Sequence, residues 1–371
     1  MVSVMRISDR YIAKQVLIGT FTAVAVLACV LMLGNLFKKI EELLVDQNAP
    51  PEVVLRFALN VLPISLMYTI PWGFLSAVLL VFGRLSSDQE ITAFRVAGVS
   101  LTRLSLPVFA IGAALSMFCL WLNVNVYPRL KSSTQELLYE QAVRDPDSLL
   151  RPGIVQGNFR DDGKVNSRAM IERKDGGWVK GFHFYQIPEA GKGDRMYIHA
   201  ERASLAVDHE KSQLRMKLEN AYFETRKQDG SIEPICASKA EPLLIDLKDP
   251  KQRRKSRSSM SNQEILEAIA AMPEARESDT IKLRSEITKR FSFSCASLAF
   301  AFIAVPLGLV ARRRETSGGL VMSLMIAALY FVITTLAEHF DTTLGANLVM
   351  WSPNLICVIL GLYLFRRARF K

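Results

Sequence analysis

Residues Phe57–Gly83 read FALNVLPISLMYTIPWGFLSAVLLVFG, an unbroken run without a charged side chain. A helix needs ~20 apolar residues to cross ~30 Å of hydrocarbon, and this run exceeds that length. Working outward, Val16–Phe37, Leu104–Val126, Phe291–Ala311, Thr316–Ala337 and Leu344–Phe365 have the same character. Core helices of a large soluble protein would show a polar stripe every 3.6 residues, and these stretches carry no charge on any face. Six crossings are expected, three before and three after a long polar middle. Pro63 and Pro71 should kink the second span, at a cavity or at a packing irregularity.

The remaining composition agrees. Half of the 371 residues are hydrophobic, and the mean hydropathy is +0.18, above that of an average soluble protein. The net charge of +10 raises nucleic acid as a partner until the basic residues are placed. Arg6, Arg10, Lys14, Arg84, Arg95, Arg103, Arg312, Arg313, Arg314, Arg366, Arg367, Arg369 and Lys371 all fall on one side of the six-span layout. Only Lys38, Lys39 and Arg56 occupy the two short loops opposite. Short-loop Lys/Arg excess marks the cytoplasmic side, so both termini are expected there and the long middle outside. The basicity is topology, and no nucleic-acid partner is expected.

The first apolar stretch is too long for a signal-peptide h-region and lacks an A-x-A exit. Cys29, Cys119, Cys295 and Cys357 fall in predicted spans, leaving Cys236 without a disulfide partner in the outside domain and no cysteine-based metal cluster. No phosphate-binding, dinucleotide, nucleophile-elbow or zincin motif occurs, and His183, His199, His209 and His339 are scattered. The spans also lack the buried carboxylates or lysines of an ion-coupled carrier. No catalytic residue, metal or cofactor is assigned, and energy for uphill movement would come from another chain.

Between the second and third spans lies RLSSDQEITAFRVAGVS, Arg84–Ser100. Ser87 and Glu90 have the spacing of a capping box. Ile91, Phe94 and Ala97 recur at helical spacing, and Gly98 supplies a stop. A short amphipathic cytoplasmic helix over 87–98 is predicted, either offering an apolar ridge to a partner or lying on lipid headgroups. From Arg129 the chain turns to strand patterns: Trp178–Ile187, Arg195–Ala200 and Gln213–Phe223, with Leu214, Met216 and Leu218 alternating against Arg215, Lys217 and Glu219. Asp162-Gly163, Asp175-Gly176-Gly177 and Asp229-Gly230 are the turn signals. The expected organisation is 1–128 for the first three spans, 129–260 for an antiparallel β domain, 261–285 for an elbow, and 286–371 for the last three spans. The basic run Lys251–Arg257 reads as a solvated linker or as a contact for anionic headgroups.

Several short motifs, in order, resemble one family. They are Asp9-Arg10-Tyr11-Ile12, Glu90-Ile91-x4-Val96-Ala97-Gly98, Arg151-Pro152-Gly153-Ile154-Val155-Gln156-Gly157-Asn158-Phe159, Glu286-x3-Arg290, Pro306-Leu307-Gly308 and Trp351-x-Pro353-Asn354. Together they resemble the LptF/LptG (YjgP/YjgQ) lipopolysaccharide-export permeases, with the opening motif leaning to one paralogue and the Arg151 stretch to the other. The resemblance implies an α-helical inner-membrane protein of six spans, 3+3, with an inserted periplasmic all-β jellyroll-like domain. It implies a paralogous permease subunit, a cytoplasmic ATPase dimer that uses ATP, periplasmic bridge proteins, and lipopolysaccharide as cargo. Carried onto this chain, Ser87, Glu90, Ile91, Phe94, Arg95, Ala97 and Gly98 would form the coupling helix, with Glu90 and Arg95 as polar contacts and Phe94 as the apolar anchor. Lys38 and Lys39, then Lys289 and Arg290, would face the lipid headgroup. Glu41 and Glu42 directly follow the first lysine pair and could pair with it, and snorkelling at the interface is the alternative role for those lysines.

Pulling one acyl chain of roughly 12 to 14 carbons into water costs roughly 10 kcal/mol, so a multi-chain lipid needs an apolar path throughout. Phe182, Phe184, Leu214, Met216 and Leu218 either line such a trough or fill an ordinary core. Competing readings are an exporter subunit for another lipid or lipoprotein, and a membrane-anchored sensor.

Overall fold

The computed structural model describes residues 7–41, 50–144, 152–157, 165–175, 178–188, 194–208, 213–227, 231–239, 243–246, 255–271, 277–310, 316–337 and 343–369, some by backbone course alone. Two compact units are present. One comprises 1–40, 54–134 and 255–371 and is helical; the other comprises 41–53 and 135–254 and carries the strands.

The helical unit is built from α1 (Ile7–Glu41), α2 (Pro51–Ser87), α3 (Glu90–Val96), α4 (Leu101–Trp121), and, after a π-helical turn at Leu122–Val126, the start of α5 (Tyr127–Arg144). The chain returns through a 3-10 turn at Arg257–Ser259, α6 (Asn262–Ala270), α7 (Glu277–Ser294), α8 (Ala296–Val310), α9 (Thr316–Ala337) and α10 (Thr343–Arg369). Among the described residues, five helical stretches are long and apolar enough to cross a membrane: Ile7–Gly34, Pro51–Ser87, Leu101–Leu138, Thr280–Leu309 and Asn347–Arg367. Val321–Ala337, within α9, is apolar but shorter. This is a multi-pass membrane protein.

Its interior holds a large apolar cluster in which Phe74, Leu79 and Phe82 of α2 meet Phe300 and Val305 of α8, Val108 of α4, Ile12 and Val16 of α1, and Tyr330 of α9. The opposite faces are equally apolar: Phe21, Met117, Leu324 and Leu348 are 67% or more exposed. In water such a surface would drive aggregation; in lipid it is matched to its solvent. Small residues set the closest contacts. A Cβ on Gly308 would lie 2.8 Å from Phe82 Cβ and 3.2 Å from the Leu79 carbonyl, and one on Gly361 would fall on the Phe302 backbone. The Pro306-Leu307-Gly308 motif thus lets α8 approach α2.

The β unit holds β1 (Gln156–Gly157), β2 (Val165–Met170), β3 (Arg173–Asp175), β4 (Trp178–Pro188), β5 (Arg195–Asp208), β6 (Gln213–Arg226), β7 (Ile232–Lys239) and β8 (Leu243–Asp246). The strands pair antiparallel, in the order β1-β2-β4-β5-β6-β7, with β3 on β4 and β8 on β6, and an isolated parallel bridge joins Pro152 to Ile171. The strands follow one another nearly consecutively as a meander, where a jellyroll would cross over between sheets. A crease runs across the sheet where Gly181, Glu201, Asn220 and Ser238 drop out of the pairing register while their neighbours keep it. Gly181 and Asn220 take positive φ there, 63° and 50°. Side-chain alternation shifts by one residue at this line: Val179 is buried before it on β4, and Phe182 and Phe184 after it. A one-residue shift would normally move a strand's apolar set to the other face. Because β5 and β6 shift at the same line, the buried face stays continuous.

Candidate functional site

The connector between α2 and α4 differs in detail from the sequence reading. The Ser87–Glu90 capping box does not form. α2 runs on through Ser87, whose hydroxyl donates to the Gly83 carbonyl at 3.0 Å. An N-cap needs extended backbone, and a residue still inside a helix cannot supply it. The N-cap of α3 is Gln89, at φ 60°, with no side-chain cap. The stop at Gly98 is built as expected: with φ 80° it allows Val99 N–H to reach the Phe94 carbonyl at 2.9 Å and its own N–H to reach Arg95 at 3.0 Å, the Schellman pair.

The faces of α3 are distinct. Ile91 is buried in the apolar cluster and Phe94 packs partly against it. Arg95, Ala97 and Gly98 are exposed, and the exposed large apolar side chain is Val96, at 86%. Helical spacing identified the ridge without its direction; Val96 is the residue that reading missed. Glu90 Oε2 accepts from the Tyr11 hydroxyl at 2.9 Å. Arg103, at the start of α4, donates to Asp9 Oδ2 at 2.9 Å.

Away from the connector, α2, the π-helical turn, the start of α5, α7, α9 and α10 surround a cavity of about 590 Å³. Met67, Phe293 and Met350 contribute apolar wall, and Asn123, Tyr127, Lys131, Arg257, Lys282, Glu286 and Lys289 polar wall. Cationic side chains outnumber the single carboxylate. Lys131 Nζ sits 5.4 Å from the Tyr127 ring centroid and donates to its hydroxyl at 3.2 Å. The π-helical turn brings Asn123 to the wall, where its amide donates to Ser294 Oγ at 2.8 Å; such turns often mark functional positions in long helices.

Lys289 and Arg290 both line this cavity, but the two play different parts. Arg290 is 3% exposed. Its guanidinium donates to Asn262 Oδ1 at 2.7 Å and to the carbonyls of Arg257, Ser258 and Met260 at 3.4, 3.3 and 2.8 Å. Its Nε lies 3.4 Å from Glu286. The Glu286-x3-Arg290 motif therefore clamps the returning chain onto α7. Lys38 and Lys39 lie in α1, their side chains outside the described ones. Lys251–Arg254 are likewise outside the described residues.

Of the trough candidates, Phe182, Phe184, Met216 and Leu218 are brought together in one cluster and are 0–6% exposed; the Leu214 side chain lies outside the described ones. In this structure they form a closed core. On the opposite face His183, His199 and Tyr222 stand in register, with His183 Nδ1 2.9 Å from the Tyr197 hydroxyl. No group of three metal-ligating side chains occurs among the described residues.

The sequence profile of the lipopolysaccharide export system permease LptF/LptG family matches residues 10–367. The chain belongs to this family. Similar curated proteins include the lipopolysaccharide export system permease protein LptF of Escherichia coli K12, 22% identical over 363 residues, which are 96% of this chain and 93% of that protein. LptF of Shigella flexneri matches to the same extent. The LptF/LptG motifs now have structural parts: Asp9 and Tyr11 at the connector, Glu286 and Arg290 in a clamp, Gly308 in a helix contact, and Asn354 in a buried polar network.

Proposed function

We propose that this chain is one permease subunit of an ATP-driven exporter that lifts lipopolysaccharide out of the bacterial inner membrane and passes it to a periplasmic bridge. In this reading α9 completes six crossings, both termini are cytoplasmic, and α3 is the coupling helix. A paralogous permease subunit and a cytoplasmic ATPase dimer complete the machine. This chain contributes no catalytic group and binds no cofactor.

The cavity lined by lysines and apolar side chains carries the proposal. An amphiphile with anionic headgroup phosphates and several acyl chains needs cations and apolar surface in the same enclosure, and Lys131, Lys282 and Lys289 together with Met67, Phe293 and Met350 supply both. Lys38 and Lys39 would add charge from α1. The closed apolar core of the β unit would become a path by opening along its face, and an unpaired sheet edge would extend the sheet into the next protein.

The decisive experiment is purification from membranes with the chain's partners. A soluble ATPase should co-isolate, and the Phe94→Asp substitution should release it. Lipopolysaccharide should co-purify and should be depleted by Lys131→Gln and Lys289→Gln. Another phospholipid or a lipoprotein in its place would reassign the cargo, and the absence of any ATPase would overturn the transport reading.

A further inference from the structure

We propose that the start of α1 is a brace for the coupling helix, in which Tyr11 and Asp9 act as positioning residues that carry a push on α3 into the first span. The proposal rests on the transport reading above and adds to it the route by which force enters one particular helix.

A seven-residue helix has little stability of its own. α3 is held at its two chain ends by α2 and α4, and from the side by α1. Two bonds from α1, two residues apart, bracket the connector. The Tyr11 hydroxyl donates to Glu90 at the first position of α3, and Asp9 takes Arg103 just beyond the far end. The Asp9 side chain is only 6% exposed. About one and two turns beyond Asp9, Ile12 and Val16 enter the same apolar cluster as Leu85, Ile91 and Leu104. The connector and the start of α1 therefore share a polar rim and an apolar floor.

The rest of α1 is held much less firmly. Within this chain, 17% of an 18-residue apolar window of α1 is buried, against 61% of such a window in α2 and 72% in the stretch spanning α7 and α8. Within this chain few packed contacts oppose a shift of such a helix, and among the described residues its side-chain bonds to other helices lie at the connector. From Tyr11 to Lys38 the helix spans about 40 Å at 1.5 Å per residue. A displacement of α3 would thus be delivered along α1 to the end that carries Lys38 and Lys39. Tyr11 and Asp9 touch neither the cargo nor ATP in this scheme; they act through α3.

The test uses the full chain in its membrane complex, with Tyr11→Phe removing one hydroxyl and Asp9→Asn removing the charge without changing shape. First, hydrogen exchange of the chain alone in nanodiscs should show faster exchange across residues 90–96 in both variants, by about three- to tenfold, the range for losing one hydrogen bond of ordinary net strength at an exposed position. Second, the reconstituted complex should assemble with wild-type yield while the lipid released per ATP hydrolysed falls by a similar factor. A merely structural role would lower assembly and leave that ratio alone. Unchanged exchange across 90–96, or faster exchange with an unchanged ratio, overturns the brace. A wild-type chain that holds no ATPase sinks the transport reading, and the exchange measurement still decides whether α1 braces α3.

Discussion

The side-chain amide of Asn354 on α10 donates to the backbone carbonyl of Ser292 on α7 at 2.8 Å. It does so beside a junction, where α7 ends at Ser294 and α8 begins at Ala296. The Cys295 amide there is shared between the Phe291 and Ser292 carbonyls, both at 3.2 Å, and the Leu298 amide turns to Ser116 Oγ on α4 at 3.0 Å. The Ser292 hydroxyl donates to the Met350 carbonyl at 2.6 Å, and Tyr330 to Asn354 Oδ1 at 3.3 Å. Neighbouring helices thus supply hydrogen bonds where the ladder of this span is disturbed, as a low-dielectric interior requires. Asn354→Ala strips partners from Ser292 and Tyr330 and should destabilise the chain by about 1–3 kcal/mol. Ser352→Ala, which loses only a bond within its own helix, should cost less than about 0.5 kcal/mol. Thermal melting in detergent micelles compares the two.

Arg290→Lys keeps the charge and loses the fork. An ammonium cannot reproduce donors aimed at Asn262 and three carbonyls at once. A loss of about 2 kcal/mol or more is expected, with faster protease nicking between Ser256 and Met260. Lys289→Gln should leave stability within about 0.5 kcal/mol and lower the amount of co-purified lipid. Equal melting of the two variants would show that the clamp contributes nothing.

Hydropathy made the helical unit legible, because charge-free runs of twenty residues or more admit few structures. The direction of individual side chains was not, because their partners are remote in sequence. Arg290 and Lys289 are adjacent and both line the cavity, and only carbonyls some thirty residues upstream make Arg290 a clamp as well. The pattern S-x-x-E occurs at Ser87 and at Ser261 with different outcomes. Ser261 takes φ −67° and ψ 161° and closes a complete capping box with Glu264, whereas Ser87 is still within α2. Identical local chemistry is decided by whether the preceding helix has ended. The crease at Gly181, Glu201, Asn220 and Ser238 was hidden for a related reason: alternation was counted on single strands, and the shift makes sense only across several.

The capping box at α6 makes a prediction about pH. Glu264 is held below the ordinary carboxylate range by its hydrogen bond from Lys255, then by the backbone N–H of Ser261. A carboxylate with a lowered folded pKa contributes stability above its unfolded value, here near 4.5, and loses it as pH falls through the folded value. Protection of the α6 amides against hydrogen exchange, corrected for intrinsic rate, should be constant from pH 7 to 5 and decline below 4.5. Glu264→Gln should remove that decline, and Ser261→Ala should lower protection about fivefold at every pH.

Gly361→Ala tests how close α10 comes to α8. The added methyl would meet the Phe302 backbone, which cannot rotate aside, and overpacking of this kind costs about 1–3 kcal/mol. Gly34→Ala, where nothing lies within 4 Å, should be neutral or stabilising by up to about 1 kcal/mol through helix propensity. A melting temperature lowered by the second substitution and not by the first would refute the contact.

The faces of α3 separate docking from folding. Val96 is 86% exposed and Ile91 7%, with Phe94 between them, partly packed on the apolar cluster. Val96→Asp places a charge where water already reaches, so the melting temperature should hold within the error of a change of about 0.5 kcal/mol. If a partner seats on this face, the same charge should cut ATPase co-isolation at least tenfold, since it desolvates a carboxylate in the interface. Ile91→Asp should lower the melting temperature first and lose the partner only as a consequence of unfolding the connector. Phe94→Asp should show both effects, each partial. Normal co-isolation with Val96→Asp, alongside loss with Phe94→Asp at unchanged stability, would move the docking surface to the other face of the helix and require α3 to rotate before it binds.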